Sequence, residues 1–145
     1  MNYYILRYNS NALTRKGAKA ILNSNSTKPI YVRIAEWIES EILNGHFKAD
    51  EKVYSQYQLA EMYTINPATA AKGLTLLVDE NILYKKRGLG MFVASGAKEF
   101  IINKRKDQTL KHLVQELVLE ANQLQISKKD LIAMINAASE EEDEL

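Results

Sequence analysis

The stretch from Ser55 to Ala94 limits the possible folds more than any other, because two helix starts and a basic hairpin follow one another with almost no spacer. Ser55 with Gln58 three residues later is a capping box, and Tyr54 and Leu59 are placed to staple that turn. Asn66 followed by Pro67 is a second start, an N-cap before a residue whose φ is already helical. Tyr63, Thr64 and Ile65 alone separate the two helices. Helices joined by so short a link read as a helix-turn-helix, whose second helix suits a DNA major groove.

The second helix has two different faces. Leu74, Leu77 and Val78 recur at helical spacing and turn inward. Asn66, Ala68, Thr69 and Lys72 lie toward its N-terminal half and outward. Asn and Thr can bond phosphates or base edges, Lys adds charge, and a small Ala lets the backbone approach a groove floor. A helix N-terminus adds free N–H groups and partial positive charge, which also suit phosphate. An ordinary capped helical hairpin with a polar outer face would share these traits, so the residues after the helix carry the distinction. Ile82-Leu83-Tyr84 reads as one strand and Met91-Phe92-Val93 as its return. Gly88 and Gly90 permit positive φ at the reversal, and Lys85, Lys86 and Arg87 project from a narrow tip. Such a tip reaches a phosphate backbone or a minor groove, where Arg meets strong negative potential. The expected fold class is therefore mostly α with a small β-hairpin, a winged helix-turn-helix.

This combination resembles the GntR family of bacterial transcription regulators, most of all its small YtrA-type branch. Pro29-Ile30-Tyr31 with Ile34, Ile38, Ile42 and Gly45 is similar to the family's first helix. Leu59-Ala60-Glu61, Asn66-Pro67 with Thr69, and Lys86-Arg87-Gly88-Leu89-Gly90 with Phe92-Val93 follow its pattern in order. The resemblance implies a dimeric winged-helix DNA binder with a C-terminal effector or dimerisation region. It also implies Asn66, Thr69 and Lys72 as recognition-helix contacts, and Arg87, Gly88 and Gly90 as wing contacts. Several positions depart from the pattern. Tyr57 stands where an Arg usually meets DNA, and Tyr donates one bond to a phosphate without charge or fork. Thr64 and Asn81 stand where Gly is usual, Ala49-Asp50 replaces a Pro-Gly turn, and Tyr54 replaces a Pro. If the turn at Thr64 needs positive φ, Thr is a strained choice, whereas Asn tolerates that region well.

Composition sets the class. At 145 residues, one core with an appendage fits and two full domains do not. A chain 46% hydrophobic and 26% charged is ordinary for a globular protein. The absence of cysteine removes disulfides and thiolate metal sites. No apolar run reaches transmembrane length and no signal-peptide pattern opens the chain, so the expectation is a cytoplasmic protein without membrane contact. The net charge of +1 conceals an asymmetry, since Glu140, Glu141, Glu142, Asp143 and Glu144 lower it from +6. Local sign is what a polyanion meets, so near-neutrality does not argue against nucleic acid.

Three parts are expected. Residues 1–28 hold Arg7, Arg15, Lys16, Lys19 and Lys28 without an acid, and form a basic arm that is irregular or partly helical. Tyr3 to Tyr8 as a short strand and Ala12 to Leu22 as a short helix is the other reading. Residues 29–96 form the winged domain. Residues 97–145 form a helical tail, in which Leu110, Leu113, Leu117 and Leu124 make an apolar stripe with Val114, Val118 and Ala121 beside them. A second tail helix starts at Ser127, with Asp130 three residues on and Ile126 set against Leu131 as a staple. Its apolar face holds Leu131, Ile132, Met134 and Ile135. Helices this short do not stand alone, so the faces must pack on the winged domain or on a second copy, and a symmetric operator favours the copy.

An enzyme is not expected. No glycine-rich loop follows a strand and opens a helix, and His46 and His112 have no metal-spaced partner in sequence. Neither a cofactor nor a metal is implied, and no effector is named by these residues. The expected function is sequence-specific binding of double-stranded DNA by a homodimeric regulator acting as a repressor on a palindromic operator. Its expected contacts are Ser55, Tyr57, Asn66, Ala68, Thr69, Lys72, Lys86, Arg87, Gly88 and Gly90. Its expected dimer contacts are Leu110, Leu113, Leu117, Leu124, Leu131, Ile132 and Ile135. A protein–protein interaction module with a structural winged domain is the alternative, and salt-dependent duplex binding separates the two.

Overall fold

A computed structural model describes residues 26–144 of the chain. The basic arm expected over residues 1–28 lies outside these residues, apart from its last few positions. Helix α1 spans Ile30–Leu43 and follows Pro29, with no side-chain cap at its start. Ile34, Ile38 and Ile42 recur every four residues along it, and all three are buried, together with Ala35 and Trp37.

Helices α2 (Gln56–Tyr63) and α3 (Pro67–Asp79) start where their caps dictate. The Ser55 Oγ accepts from the Gln58 N–H at 3.1 Å, and the Gln58 Oε1 accepts from the Ser55 N–H at 2.9 Å. Asn66 Oδ1 accepts from the Ala68 N–H at 2.8 Å, and Pro67 occupies the first helical position. Tyr54 stacks on Trp37 with ring centroids 5.9 Å apart and meets Phe47 edge-on at 5.4 Å. Helix α2 closes on Thr64 in the left-handed region, φ 54° and ψ 52°. That conformation costs a β-branched residue about 1–2 kcal/mol, and it is the strain expected of a Thr in a glycine position. Asn81 and Asp50 are likewise left-handed, at φ 60° and 65°.

Helix α3 packs against α1 and α2. Leu74 and Leu77 enter the core with Ile34, Ile38, Leu59, Ile82, Leu83 and Val93. Full burial of a leucine such as Leu77 contributes roughly 2–3 kcal/mol. Tyr63 is buried edge-on to Trp37, and desolvation lifts its phenol far above the usual tyrosine range.

Strands β1 (Leu83–Lys86) and β2 (Gly90–Val93) pair antiparallel, in a register running from Leu83 with Val93 to Lys86 with Gly90. The expected basic tip therefore needs correction. Lys85 and Lys86 belong to the ladder, and the reversal is Arg87-Gly88-Leu89. Strand side chains alternate between faces, so both lysines stay exposed while their backbones pair. The turn closes through the Leu89 N–H to the Lys86 carbonyl at 3.0 Å, with φ of 75° at Gly88 and 116° at Gly90. The segment before α2 lines the other side of β2. Asp50 N–H donates to the Val93 carbonyl at 2.8 Å, Val93 N–H to Glu51 at 3.0 Å, and Val53 N–H to Met91 at 3.0 Å. Lys52 sits opposite Phe92 in this added pairing.

Helix α4 spans Ala97–Arg105. Ala97 and Ile101 are buried with the winged core, and the first compact unit runs to Ile102. A second unit begins at Asn103. It continues through a π-helical segment at Lys106–Leu110 into α5 (Lys111–Gln123) and α6 (Lys128–Asp143). Helix α6 opens on the expected cap, with the Ser127 Oγ accepting from the Asp130 N–H at 3.1 Å. The turn before it uses Gln125 at φ 57°. Helices α5 and α6 meet only sparsely. Leu110, Leu117, Leu124, Ile132 and Ile135 are exposed, and Leu113 and Leu131 are half-buried. Among the described residues, no helix is long and apolar enough to cross a membrane.

Candidate nucleic-acid interface

The capping that starts α3 also decides what its first turn presents. Asn66 spends Oδ1 on the Ala68 N–H, which leaves its amide N–H2 group to donate outward. Ala68 and Lys72 are exposed and Thr69 is half-buried, while Ala70, Gly73 and Leu74 face the core. The outer face is thus a short row of small and polar side chains ending in one cation. Lys72 Nζ lies 4.1 Å from the centre of the Tyr31 ring, which α1 supplies. Ser55 is tied into its capping box, and Tyr57, two residues on, is 69% exposed. An aromatic that open to solvent, with a phenol at its end, offers a phosphate one hydrogen bond and a sugar an apolar face.

The hairpin builds a second cationic surface. Tyr84 and Phe92 are cross-strand partners and stack at 5.9 Å. Lys86 Nζ rests 4.6 Å from the Phe92 ring centre and 5.6 Å from that of Tyr84. The Tyr84 hydroxyl donates to Asp50 Oδ1 at 2.6 Å, and this bond to the carboxylate raises its phenol above the usual range. Asp50 thereby anchors the base of the wing. A Cβ on Gly90 would fall 2.8 Å from Lys52 Cε, so the missing side chain leaves room for a second lysine on this face. Arg87 and Gly88 stand exposed at the reversal beside Leu89. An ammonium held on an aromatic ring keeps its charge and its N–H donors, whereas an ion pair would neutralise it.

All of the residues expected to meet DNA lie in the first unit, and all of those expected at a dimer contact lie in the second. Sequence reasoning assigned no role to Tyr31, Lys52 or Tyr84. A lysine three residues before the capping box, next to the buried Val53, was the available signal for Lys52. Tyr31 leaves no such signal, because Lys72 is distant in sequence, and the bond from Tyr84 to Asp50 likewise spans 34 residues. The two histidines have carboxylate neighbours, His46 Nδ1 at 2.9 Å from Glu41 Oε2 and His112 Nε2 at 3.1 Å from Glu116 Oε1.

The profile of the family described as bacterial regulatory proteins, gntR family, matches residues 30–93. The chain is similar to the transcriptional repressor NagR of Bacillus subtilis, with 35% identity over 78 residues, 54% of this chain and 32% of NagR. It is similar to the transcriptional repressor YtrA of the same organism, with 28% identity over 101 residues, 70% of this chain and 77% of YtrA. A solved GntR-family structure from Bacteroides thetaiotaomicron is 32% identical, covers 79% of this chain and 99% of its own, and superposes with a TM-score of 0.66. The chain thus spans under a third of NagR's length but nearly all of the Bacteroides protein. Fold, interface chemistry and relatives agree that the chain belongs to the GntR family, as a winged-helix DNA-binding transcriptional regulator.

Proposed function

We propose that the chain acts as a homodimeric repressor on a palindromic operator. The observation that carries the DNA reading is the outward row Asn66, Ala68, Thr69 and Lys72 on α3, in the same unit as a wing with exposed Lys86 and Arg87. In this reading α3 enters the major groove, and Arg87, Gly88 and Gly90 approach a minor groove or phosphates. Ser55 and Tyr57 touch the backbone. Exposed Leu117, Ile132 and Ile135 support self-association, since large apolar side chains at helical spacing need a covering surface. The names of NagR and YtrA as repressors support the direction of regulation. Domain limits follow the same logic, with the winged unit reading DNA and the helices beyond it pairing two copies.

The test is selection of bound duplexes from random DNA, followed by anisotropy titration at several salt concentrations. Lys86→Ala should weaken binding to every sequence alike and lower the salt slope by about 1. Thr69→Ala should instead alter preference at one position of each half-site, by about 1–3 kcal/mol. Unchanged affinity and preference in both variants, or recovery of no symmetric site, would defeat the proposal.

A further inference from the structure

We propose that Tyr31 is a positioning residue for DNA recognition, holding the Lys72 ammonium of α3 in place before the duplex arrives. This inference rests on the reading of α3 as the groove-facing helix. Lys72 Nζ lies 4.1 Å from the Tyr31 ring centre, within the range of a direct cation–π contact. The two residues are 41 positions apart in sequence, so the contact exists only because α1 and α3 pack together. Gly73, the neighbour of Lys72, explains how closely they pack. A Cβ there would fall 2.8 Å from the Tyr31 backbone carbonyl, so α3 presents bare backbone to α1 at this level. The close approach fixes where the Tyr31 side chain leaves α1, beside the first exposed turns of α3.

The chemistry of the partner matters. A lysine free in solvent spreads its charge over many rotamers, and ordering it on binding costs entropy. A carboxylate partner would order it but cancel its charge. A ring face orders it and leaves the three N–H donors free to bond a phosphate oxygen or the O6 and N7 of a guanine. The phenol hydroxyl has no part in this, so the ring alone is required.

The experiment is a double-mutant cycle on the intact chain, with a duplex recovered by selection from random double-stranded DNA. Tyr31→Leu should weaken operator binding roughly two- to fivefold when Lys72 is present, and leave affinity unchanged in a Lys72→Gln background. Tyr31→Phe should bind like the parent. In the free protein, NMR should show the Lys72 Hε resonances shifted upfield by the ring in the parent and in Tyr31→Phe, and unshifted in Tyr31→Leu. Equal losses in the two backgrounds would assign Tyr31 a purely structural role and overturn the inference while leaving the groove-facing reading intact. A Lys72→Gln protein that binds like the parent would overturn the inference together with the contact on which it depends. Absence of the upfield shift in the parent would overturn the geometry without reference to DNA.

Discussion

The two compact units use similar apolar content in opposite ways. Up to Ile102, leucines and isoleucines from α1, α2, α3, the hairpin and α4 close over one another, and Ile38, Leu59, Leu77, Ile82 and Ile101 have no exposed surface. Beyond it, Leu110, Leu117, Leu119 and Leu124 remain 41–68% exposed, and Ala121 is the one buried residue among those described. Helical periodicity is present in both, so periodicity alone does not complete a core. Completion in the first unit comes from crossing elements, a hairpin and an added strand segment laid over three helices. The second unit has helices only, and these barely touch. The lesson is that the winged unit contains its own stability, whereas the stability of the tail depends on what covers it.

The sharpest way to break this contrast is Leu117→Glu. In a dimer it sets a carboxylate against an apolar face, a penalty of several kcal/mol per buried ion. Sedimentation should show a monomer, circular dichroism should show the winged unit still folded, and affinity for a symmetric site should fall by orders of magnitude. A variant that stays dimeric removes the tail from the interface. Next in size is Leu77→Ala, which opens a cavity in the closed core and should cost about 3 kcal/mol. Denaturant titration should register it as a loss independent of protein concentration. The smallest effect comes from paired cap deletions. Ser55→Ala and Ser127→Ala each remove one N-cap acceptor, worth about 1 kcal/mol. The first should lower a concentration-independent transition and the second a concentration-dependent one. Identical behaviour of the two would mean that the units do not differ in the way their burial implies.

Much of the winged unit was legible because its signals are local. Ser55 with Gln58 and Asn66 with Pro67 each announce a helix within four residues, as Ser127 with Asp130 does in the tail, and each N-cap forms the expected hydrogen bond. Thr64, Asn81 and Asp50, which stand in for glycines of the family pattern, all adopt positive φ. The misplaced features depend on distant partners. The ladder runs to Lys86 because Gly90 lies opposite, and a run of three basic residues resembles a turn until that register is known. The 50–53 segment pairs with β2 across some forty residues and has no periodicity of its own. Ile101 looks like tail until a core needs it. The π-helical segment at Lys106–Leu110 has no sequence marker comparable to a cap. At the candidate interface, exposure of Ala68 and Lys72 followed from the helical face, but the Tyr31 ring beneath Lys72 and the Phe92 ring beneath Lys86 did not, since each comes from another element.

The sheet order has one more consequence. Strand β2 is lined on both sides, by β1 and by the 50–53 segment, so β1 forms one edge of the sheet. An open edge with free N–H and C=O groups is a template for a strand from another molecule, and lysines along it are a common safeguard against fibrillar growth. Lys85 and Lys86 occupy half of that four-residue edge. The charges that suit a polyanion therefore also disfavour strand pairing between wings. Stripping both lysines to weaken nucleic-acid affinity would remove that safeguard as well, and a reduced signal from such a protein would mix lost binding with lost solubility.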